Sequence, residues 1–364
     1  MKINFLTTKL SGLTGGVIYD EKFYNELSMH FKGEVSLIED SYFGNEYSNV
    51  SPNFVRFNKI YIKHAPEILD CDYLFINSRL YTRFFRFPWK INPKCKIILI
   101  HHHFDFMTHS GIRRVIHKHL ELGFLRRAFC IITPNPYTKD MIRNVNLNNK
   151  IELLEAYIDK ETHEPNIDNK KDVISFIGTV EPRKGLHYGI PAFKKFWDKH
   201  PSYIFKIAGS LHSNDYTNRL KDMVKELHLE NQVQFLGRID EGEKAKMYKE
   251  SKCFLFPSQN EGYGWVLVEA MSYGLPVIAF NNTAMPYTVN NQNGRIVQNR
   301  DIDAMAQALD EVIDQPSIYD DLVRGAYKTV HNLPEEDQIV AEYGRFFKEG
   351  SVTTNGWFLT RNSV

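Results

Sequence analysis

Short apolar runs recur along this chain, and a longer stretch with helical periodicity follows most of them. In the first half the runs occupy Ile3–Thr7, Tyr73–Asn77, Lys96–Ile100 and Cys130–Thr133, and a helix is predicted over Val17–Phe31. Strands that are apolar along their whole length are buried on both faces, as in a parallel sheet that carries helices on each side. The alternation therefore predicts an α/β chain of the doubly wound type.

The same alternation continues through the second half. Apolar runs predict strands at Val173–Val180, Ile204–Ala208, Val233–Leu236, Cys253–Phe256 and Pro276–Phe280. Helices are predicted at Leu186–His200, Tyr216–Leu227 and Glu241–Glu250, from about Gly264, and at Ile302–Ile313, Ser317–Asn332 and Glu335–Lys348. Ser317 is expected to cap the amino terminus of its helix.

The length of 364 residues exceeds what one hydrophobic core usually serves. A polar stretch after Asp159, which contains Pro165 and lacks apolar periodicity, indicates a linker. We therefore predict Rossmann-like domains at residues 1–160 and 172–334, and a carboxyl-terminal helix and tail at residues 335–364 that packs back on the first domain. Because ligands of open α/β sheets bind at the carboxyl ends of the strands, the two domains are expected to face a cleft.

Composition narrows the class of protein. A formal net charge of +1 argues against a dedicated nucleic-acid-binding protein, which usually carries a strong basic excess. The four cysteines form no CxxC pair, which favours reduced thiols in a cytoplasmic protein over a zinc site or a disulfide framework. The amino terminus is expected to be a strand rather than a signal peptide. No apolar run approaches the roughly 20 residues of a membrane helix, so membrane contact is expected only at the inner surface.

The most informative segment is PSQNEGYGWVLVEAMSYGLP, Pro257–Pro276. Glu261 falls in a predicted strand-to-helix loop, and Glu269 follows eight positions later within an apolar helix. A carboxylate in such a helix needs a partner, either ribose hydroxyls of a ligand or a structural group of the protein. Gly262 and Gly264 allow close approach of the backbone to a ligand, and the helix amino terminus suits a diphosphate.

A second segment, FIGTVEPRKG, places Arg183 and Lys184 in the loop after a predicted strand. Adjacent cations at this position are suited to neutralise the charge on a departing nucleoside diphosphate. The alternative is a solvated turn, which is the usual place of an isolated Arg–Lys pair.

In the first half, Gly15 and Gly16 lie between the first strand and its helix, and HHHFDF follows the strand that ends at Ile100. Three consecutive histidines at a strand end are not expected to be core residues throughout. They lack the spacing of a HExxH zinc site and no cysteine cluster accompanies them, so no metal is expected. The later His109, His117 and His119 are expected to be surface or packing residues.

Two segments are rich in basic residues. Arg79–Lys96 contains six Lys or Arg, no acid, and the aromatic residues Phe84, Phe85, Phe87 and Trp89, and Gly111–Phe129 is similar in character. Basic residues with exposed aromatics suit an anionic membrane surface or a lipid-linked acceptor. The alternative is that the aromatics belong to the core and the cations are solvated.

The segments FIGTVEPRKG, FKIAGS, VQFLGRI and FPSQNEGYGWVLVEAMSYGLPVIAF occur in that order between Val173 and Val297. In this part the chain resembles glycosyltransferase family 4. The resemblance implies the GT-B fold and retaining transfer of a hexosyl unit from a UDP- or GDP-linked sugar. It also implies a glycan or lipid-linked acceptor, surface polysaccharide assembly, and no cofactor or metal.

The resemblance also implies residue roles. Lys184 would contact the diphosphate, Glu261 the donor sugar, and His102 or, as second choice, His103 the same sugar; Lys184, Glu261 and His102 are the catalytic candidates. Donor-binding residues would be Gly15, Gly16, Arg183, Arg238, Gly262, Tyr263, Gly264 and Glu269, with Glu269 at the ribose and Arg238 near the base. The chain departs from the family at Thr179, where many members carry arginine, and whether Arg183 supplies that charge stays open.

Two other functions remain open from the sequence. A sugar-nucleotide epimerase of the same architecture would act on the donor without an acceptor. A non-catalytic nucleotide-sugar-binding protein would bind donor without turnover. A glycosidase is disfavoured, because Glu261 and Glu269 lie on one loop and helix rather than across a scissile bond.

Overall fold

A computed structural model describes residues 1–8, 10, 15–43, 54–84, 87, 90–145, 147, 150–211 and 214–349. The chain divides into two compact units. The first comprises Met1–Tyr157 together with the described chain from Glu335 onwards, and the second comprises Ile158–Pro334.

The first unit is built on six parallel strands in the order β2-β1-β3-β4-β5-β6. The strands are β1 (Ile3–Leu6), β2 (Val35–Ile38), β3 (Tyr73–Asn77), β4 (Lys96–Ile100), β5 (Cys130–Thr133) and β6 (Lys150–Leu153). The described helices are α1 (Gly15–His30), α2 (Phe54–Lys63), α3 (Ala65–Ile68), α4 (Ser78–Tyr81), α5 (Gly111–Arg127) and α6 (Pro136–Asn144). Every residue of β1 and β5 is buried, as expected for strands covered on both faces.

The second unit contains six parallel strands in the order β12-β11-β10-β7-β8-β9. They are β7 (Val173–Ile177), β8 (Ile204–Ala208), β9 (Val233–Gly237), β10 (Cys253–Phe256), β11 (Val277–Phe280) and β12 (Gly294–Val297). The helices are α7 (Leu186–Trp197), α8 (Asn214–Glu226), α9 (Glu241–Glu250), α10 (Trp265–Ser272), α11 (Met285–Thr288), α12 (Ile302–Asp314) and α13 (Pro316–His331). The predicted doubly wound α/β class is confirmed in both units.

Strand order defines one switch point in each sheet. In the first unit the chain moves to opposite sides of β1, so the order reverses between β1 and β3. In the second unit the order reverses between β7 and β10. The loops that leave the carboxyl ends of such strands diverge to opposite faces and leave a crevice for ligands. These two positions are therefore where the fold favours a binding site.

Three strands are absent from the sequence-based prediction, namely β2, β6 and β12. Each lies at an edge of its sheet. Two of the four residues of β6 and three of the four in β2 and β12 are not fully buried, so none of them forms a continuous apolar run. The strand prediction relied on continuous apolar runs, which are typical of strands buried on both faces, so it missed these three.

Several predicted boundaries differ from the structure by one to three residues, and two of the differences have a clear physical reason. The helix assigned to Ser317–Asn332 begins one residue earlier, at Pro316, so Ser317 lies inside the first turn rather than at the cap. A proline at the first helical position is favourable because its fixed φ is already helical. The strand predicted at Val173–Val180 ends at Ile177, since the chain turns at Gly178 to enter the next loop.

The last described helix, α14 (Glu336–Glu349), belongs to the first unit and packs on α1. The rings of Tyr343 and Phe347 lie 5.4 and 5.7 Å from the ring of Phe23, centroid to centroid. The Tyr343 hydroxyl donates to the carbonyl oxygen of Glu155 at 2.7 Å. An aromatic cluster and one buried hydrogen bond thus fix this helix in the first unit.

The four cysteines are free thiols, and Sγ of Cys71 lies 3.6 Å from Sγ of Cys95. Among the described residues, no helix is both long and apolar enough to cross a membrane.

Two helical glycines provide a matched test of packing. A Cβ at Gly325 in α13 would lie 1.8 Å from the carbonyl oxygen of Gln292, whereas a Cβ at Gly344 in α14 meets nothing within 4 Å outside its own helix. We expect Gly325→Ala to lower the free energy of unfolding by about 1–3 kcal/mol through overpacking. Gly344→Ala is expected to raise it by about 0.5–1 kcal/mol, because alanine loses less backbone entropy in a helix.

Equilibrium urea unfolding of the two variants measures these changes. Equal effects of the two substitutions would contradict the assigned packing of α13 against the Gln292 carbonyl.

Candidate functional site

A buried ion pair lies at the switch point of the second unit. Nζ of Lys184 lies 2.6 Å from Oε1 of Glu261, and the hydroxyl of Ser258 donates to the same oxygen at 2.6 Å. Lys184 comes from the loop after β7, and Glu261 and Ser258 come from the loop after β10. Lys184 and Glu261 are 7% and 9% exposed, so the pair is largely removed from water. Two residues 77 positions apart in sequence are thus held together by the parallel pairing of β7 with β10.

The backbone of the two loops is joined as well. The amide of Gln259 donates to the carbonyl oxygen of Arg183 at 2.8 Å. Gly185 has a φ of 70°, and a Cβ there would lie 1.9 Å from the carbonyl oxygen of Pro257. Only glycine combines this left-handed conformation with so close an approach, so Gly185 sets the position of the neighbouring Lys184.

Burial disfavours the charged forms of both side chains in the pair. Burial lowers the pKa of Lys184, and the nearby Glu261 carboxylate acts against that change without reversing it. Burial also acts to raise the pKa of Glu261, but the charges of Lys184 and Arg183 outweigh it, and that pKa is lowered overall. The carboxylate is therefore held in its charged form by two cations.

Arg183 belongs to the same cluster. Its NH1 lies 3.2 Å from Oε1 of Glu261 and donates to the carbonyl oxygen of Asn260 at 3.1 Å, while its Nε lies 2.7 Å from Oε1 of Glu181. The side chain is 43% exposed, in contrast to that of Lys184. The alternative of a solvated Arg–Lys turn is wrong for Lys184, because the fold buries it against the loop after β10.

Glu269 lies on α10, and the structure supplies the partner that its apolar surroundings require. Nζ of Lys244 lies 3.2 Å from Oε2 of Glu269, and the hydroxyl of Tyr248 donates to the same oxygen at 3.3 Å. Both partners come from α9. Burial raises the pKa of Glu269, although Lys244 counteracts this. The carboxylate is thus oriented by α9 before any ligand is present.

The remaining candidates in the second unit are three residues of the Glu261 loop and Arg238. Gly262 and Tyr263 continue the Glu261 loop, and Gly264, with a φ of 77°, starts α10. The ring of Tyr263 lies 5.4 Å from that of Trp265. Arg238 follows β9, is exposed, and donates to the Ser210 hydroxyl at 3.4 Å. Among the described residues, Arg238 makes no polar contact with Glu261, with Glu269 or with their partners.

A second polar cluster lies at the switch point of the first unit, centred on the fully buried Asp20 of α1. Its Oδ1 lies 2.8 Å from Nε2 of His102. Its Oδ2 accepts from Nδ2 of Asn77 at 2.7 Å and from NH2 of Arg79 at 3.0 Å. Asn77 also donates to the hydroxyl of Thr7 at 2.5 Å, which joins the ends of β1 and β3.

The three consecutive histidines have different environments. His101 is fully buried, its Nδ1 pairs with the Tyr81 hydroxyl, and burial holds its pKa well below the usual range. His102 is 6% exposed and faces Asp20, whereas His103 is only partly buried. His101 is therefore the core residue of the three, and His102 belongs to the polar cluster around Asp20.

The carbonyl oxygen and amide of His102 are also held. Its carbonyl oxygen accepts from the Thr138 hydroxyl at 3.0 Å, and its amide donates to the Ser78 hydroxyl at 3.3 Å. Gly16, in the first turn of α1 next to Gly15, lies over the ring, since a Cβ there would be 3.7 Å from His102 Cδ2. The structure thus brings Gly16 and His102 together from separate segments.

Sequence reasoning missed several residues of these clusters, among them Asp20, Asn77, Lys244 and Ser258. Asp20 lies in the run GGVIYDEKF, where an acid beside apolar residues was a usable signal. Lys244 lies in the polar helix EGEKAKMYKE and nothing local separates it from its neighbours. Its role depends on the packing of α9 near α10.

The two basic segments separate in the structure. In Arg79–Lys96, Phe84 is 1% exposed, Phe87 packs on the core, and Arg79 is bound to Asp20, so these described residues follow the alternative in which the aromatics belong to the core. Phe85 and Trp89 lie outside the described residues. In Gly111–Phe129, by contrast, Ile112, Val115, Ile116 and Phe129 are 77%, 65%, 50% and 52% exposed.

Known proteins that match part of this chain are described as glycosyltransferases. Residues 158–329 match the family model described as "Glycosyl transferases group 1". A Haemophilus influenzae protein described as an uncharacterized glycosyltransferase is 30% identical over 155 residues, which are 42% of each chain. The Staphylococcus aureus capsular polysaccharide biosynthesis glycosyltransferase CapM is 27% identical over 194 residues, covering 50% of this chain and 48% of that protein. The matched segments thus span less than half the length of these two relatives.

Among solved structures, HepE from Anabaena, crystallised in complex with UDP, matches 96% of this chain and 100% of its own with a TM-score of 0.71. The sequence identity is 16%, so this likeness shows the fold and not the function. Both units carry the doubly wound sheets of that architecture. Residues 158–329 are thus similar to the group 1 glycosyl transferases, and the two Rossmann-like units have the GT-B fold.

Proposed function

We propose that this protein is a retaining glycosyltransferase that moves a hexosyl unit from a nucleotide-diphosphate sugar to a glycan or lipid-linked acceptor. The observation that carries the proposal is the Lys184–Glu261 pair, buried at the switch point of the unit that matches the family. A buried ion pair is costly to form, and nonpolar residues of similar volume often serve stability as well. The pair lies where the fold favours ligand binding, so a functional role would explain why this unfavourable burial of charge is present.

The proposed role of Lys184 is to bind the donor diphosphate. Its ammonium group has three donor hydrogens, and the bond to Glu261 fixes the direction of the side chain while leaving donors to point at phosphate oxygens. Arg183, which is more exposed, adds a second cation on the same loop. Together they would stabilise the negative charge that develops on the leaving nucleoside diphosphate.

The proposed role of Glu269 is to accept hydrogen bonds from the ribose hydroxyls. Lys244 and Tyr248 both engage its Oε2, so the orientation of the carboxylate is set by α9. Glu261 would lie at the donor sugar, with Gly262, Tyr263 and Gly264 along the sugar and phosphates. Arg238 would lie near the base, although its side-chain hydrogen bond in the structure is to the Ser210 hydroxyl.

The first unit contributes the His102–Asp20 pair to the proposed reaction. Asp20 fixes the Nε2 side of the imidazole and, through Asn77 and Arg79, is itself held on its other oxygen. An imidazole with a fixed orientation is suited to hydrogen-bond a sugar hydroxyl. Gly16, next to Gly15, lies against the ring, and His102 is preferred to His103 because His102 contacts Asp20 directly.

The resemblance to family 4 supplies the retention of configuration and the hexosyl unit. The name of CapM supports a polysaccharide acceptor, and the UDP in HepE makes UDP the first nucleotide to test. No cofactor or metal is included in the proposed reaction. The place of action would be the cytoplasm, at the inner face of the membrane.

Lys184 is also expected to contribute to stability, so the effect of a substitution on folding must be measured separately from its effect on nucleotide binding. We expect Lys184→Met to lower the free energy of unfolding by about 3–5 kcal/mol, because it leaves the buried Glu261 carboxylate without its ammonium partner. The double variant Lys184→Met/Glu261→Gln removes the charge as well and is expected to recover part of that loss. Urea unfolding of the three proteins measures the coupling, and strictly additive effects would contradict a direct Lys184–Glu261 interaction.

Nucleotide binding is the direct test of the donor site. A thermal-shift screen of UDP, GDP, ADP and CMP is expected to give a shift with one nucleotide, since a ligand present at 100 times its Kd stabilises by about 2.7 kcal/mol. The shift should be lost in Glu269→Gln and in the double variant Lys184→Met/Glu261→Gln. Glu311→Gln is the matched control, because Glu311 pairs with Arg295 on α12 and β12 of the same unit, apart from the Lys184 loop.

Absence of a shift with all four nucleotides would overturn the nucleotide-sugar proposal. If one nucleotide does give a shift, incubation with the corresponding sugar nucleotide alone distinguishes the enzyme classes. Conversion into a different sugar nucleotide would favour an epimerase, and binding without turnover in any acceptor extract would favour a non-catalytic protein.

A membrane-facing role for the first turns of α5 is part of the same proposal. Ile112, Val115 and Ile116 follow the i, i+3, i+4 spacing of one helix face and are at least half exposed. Arg113, Arg114 and Lys118 lie among them on the same helix and are exposed too. An apolar stripe flanked by cations suits an anionic lipid surface, from which a lipid-linked acceptor would be reached.

We expect the protein to sediment with vesicles that contain phosphatidylglycerol and not with pure phosphatidylcholine, and to release as ionic strength rises. The triple change of Ile112, Val115 and Ile116 to serine should abolish sedimentation. Val55→Ser/Ile62→Ser is the control, because these exposed apolar residues lie on α2 of the same unit. Equal vesicle binding by the two variants would contradict the assignment.

A further inference from the structure

The turn between β4 and α5 brings one aspartate and two histidines together. Oδ2 of Asp105 lies 3.2 Å from Nε2 of His109 and 2.8 Å from Nδ1 of His117. The three donor atoms lie within 4.8 Å of one another, and the imidazole centroids are 3.9 Å apart. The sequence pattern predicts surface or packing roles for His109 and His117. The fold instead directs both rings at one carboxylate oxygen.

This arrangement has the geometry of a metal site. Tetrahedral zinc with ligand bonds of about 2.0–2.1 Å places neighbouring donor atoms about 3.3 Å apart. The two distances from the Asp105 oxygen differ from that value by a few tenths of an ångström. Small side-chain rotations bridge such a difference. As plain hydrogen bonds, both imidazoles would have to donate to the same oxygen while their rings lie 3.9 Å apart, centroid to centroid, at an interplanar angle of 44°.

The chemistry of the donors selects the ion. Two imidazole nitrogens and one carboxylate oxygen suit Zn²⁺, whereas Mg²⁺ and Ca²⁺ prefer oxygen ligands alone. The side chains of Asp105, His109 and His117 are 33%, 30% and 27% exposed. An ion can therefore reach them from solvent, and a water molecule can occupy the fourth position.

Glu121 holds the turn in place from α5. Its Oε1 accepts from the amide of Asp105 at 3.0 Å, and its Oε2 accepts from the amide of Phe106 at 3.1 Å. The Thr108 hydroxyl donates to the carbonyl oxygen of Asp105 at 2.8 Å. His117 and Glu121 are one helical turn apart, so the residue that orients the Asp105 backbone lies beside a ligand. Outer support of this kind is typical of metal sites.

We propose that Asp105, His109 and His117 bind one Zn²⁺ ion with a water molecule as fourth ligand. The ion fastens the Asp105–Thr108 turn to the middle of α5. The site is structural: it lies on residues that take no part in the proposed donor binding, and it orders the helix that carries Ile112, Val115 and Ile116.

One other His–Asp cluster occurs among the residues that the structure describes, and it provides a contrast. His200, Asp310 and Asp314 also lie within the same distance limit. There Nζ of Lys199 lies 2.5 Å from Oδ2 of Asp310, so an ammonium group already neutralises one carboxylate. A cation is consequently less favoured at that cluster than at Asp105.

The test uses the full-length protein after removal of metal with a chelator. Calorimetric titration with Zn²⁺ is expected to give one equivalent, and Co²⁺ as a spectroscopic substitute should give absorption bands of a four-coordinate site. His109→Ala, His117→Ala and Asp105→Asn should weaken Zn²⁺ binding by more than the roughly 10–100-fold that loss of an outer-shell partner causes. His119→Ala, an exposed histidine on the same helix, and His200→Ala are the controls and should bind like the unmodified protein.

Circular dichroism of each variant in chelator checks that the fold is intact, and the three ligand variants provide independent readings if one of them fails to fold. Zn²⁺ should also raise the melting temperature of the unmodified protein and not that of His117→Ala. No bound Zn²⁺, or equal affinity in the ligand variants and in His119→Ala, would overturn the proposal and indicate adventitious surface binding. Neither result depends on the outcome of the nucleotide screen.

Discussion

The contact between the Lys184 and Glu261 side chains depends on most of the second unit. The two residues come from loops that follow different strands, and they meet because β7 and β10 are neighbours at the point where strand order reverses. Burying either charge alone would be strongly unfavourable. The loops must therefore be fixed closely enough that Ser258 and Arg183 also reach the carboxylate.

The close approach of backbone to backbone provides that fixed geometry. Gly185 turns in the left-handed region directly against Pro257, and a side chain at this position would displace the Glu261 loop. In the same way, a Cβ at Gly209 would lie 1.9 Å from the carbonyl oxygen of Gly178. These glycines serve the site through shape, because they allow loops at the carboxyl edge of the sheet to touch.

The first unit shows the same principle with different chemistry. Asp20 is fully buried, and its two oxygens are satisfied by His102, Asn77 and Arg79, which come from two other segments of the chain. A buried carboxylate with this many partners orients every one of them. His102 is thereby held at a strand end in a defined direction, whereas its neighbour His101 is held in the core by Tyr81.

The sequence by itself determined the fold class, the central strands and the loops in which Lys184, Glu261 and His102 lie. It did so because buried parallel strands are continuous apolar runs and because charged residues at their carboxyl ends stand out. Strands without a continuous apolar run were not predicted. The edge strands β2, β6 and β12 are only partly buried and gave no such run. Only the tertiary structure decided which partners meet. Asp20 with His102, Lys244 with Glu269, and Asp105 with His117 are separated by 82, 25 and 12 positions. Each pair forms through helix and strand packing that no local spacing encodes.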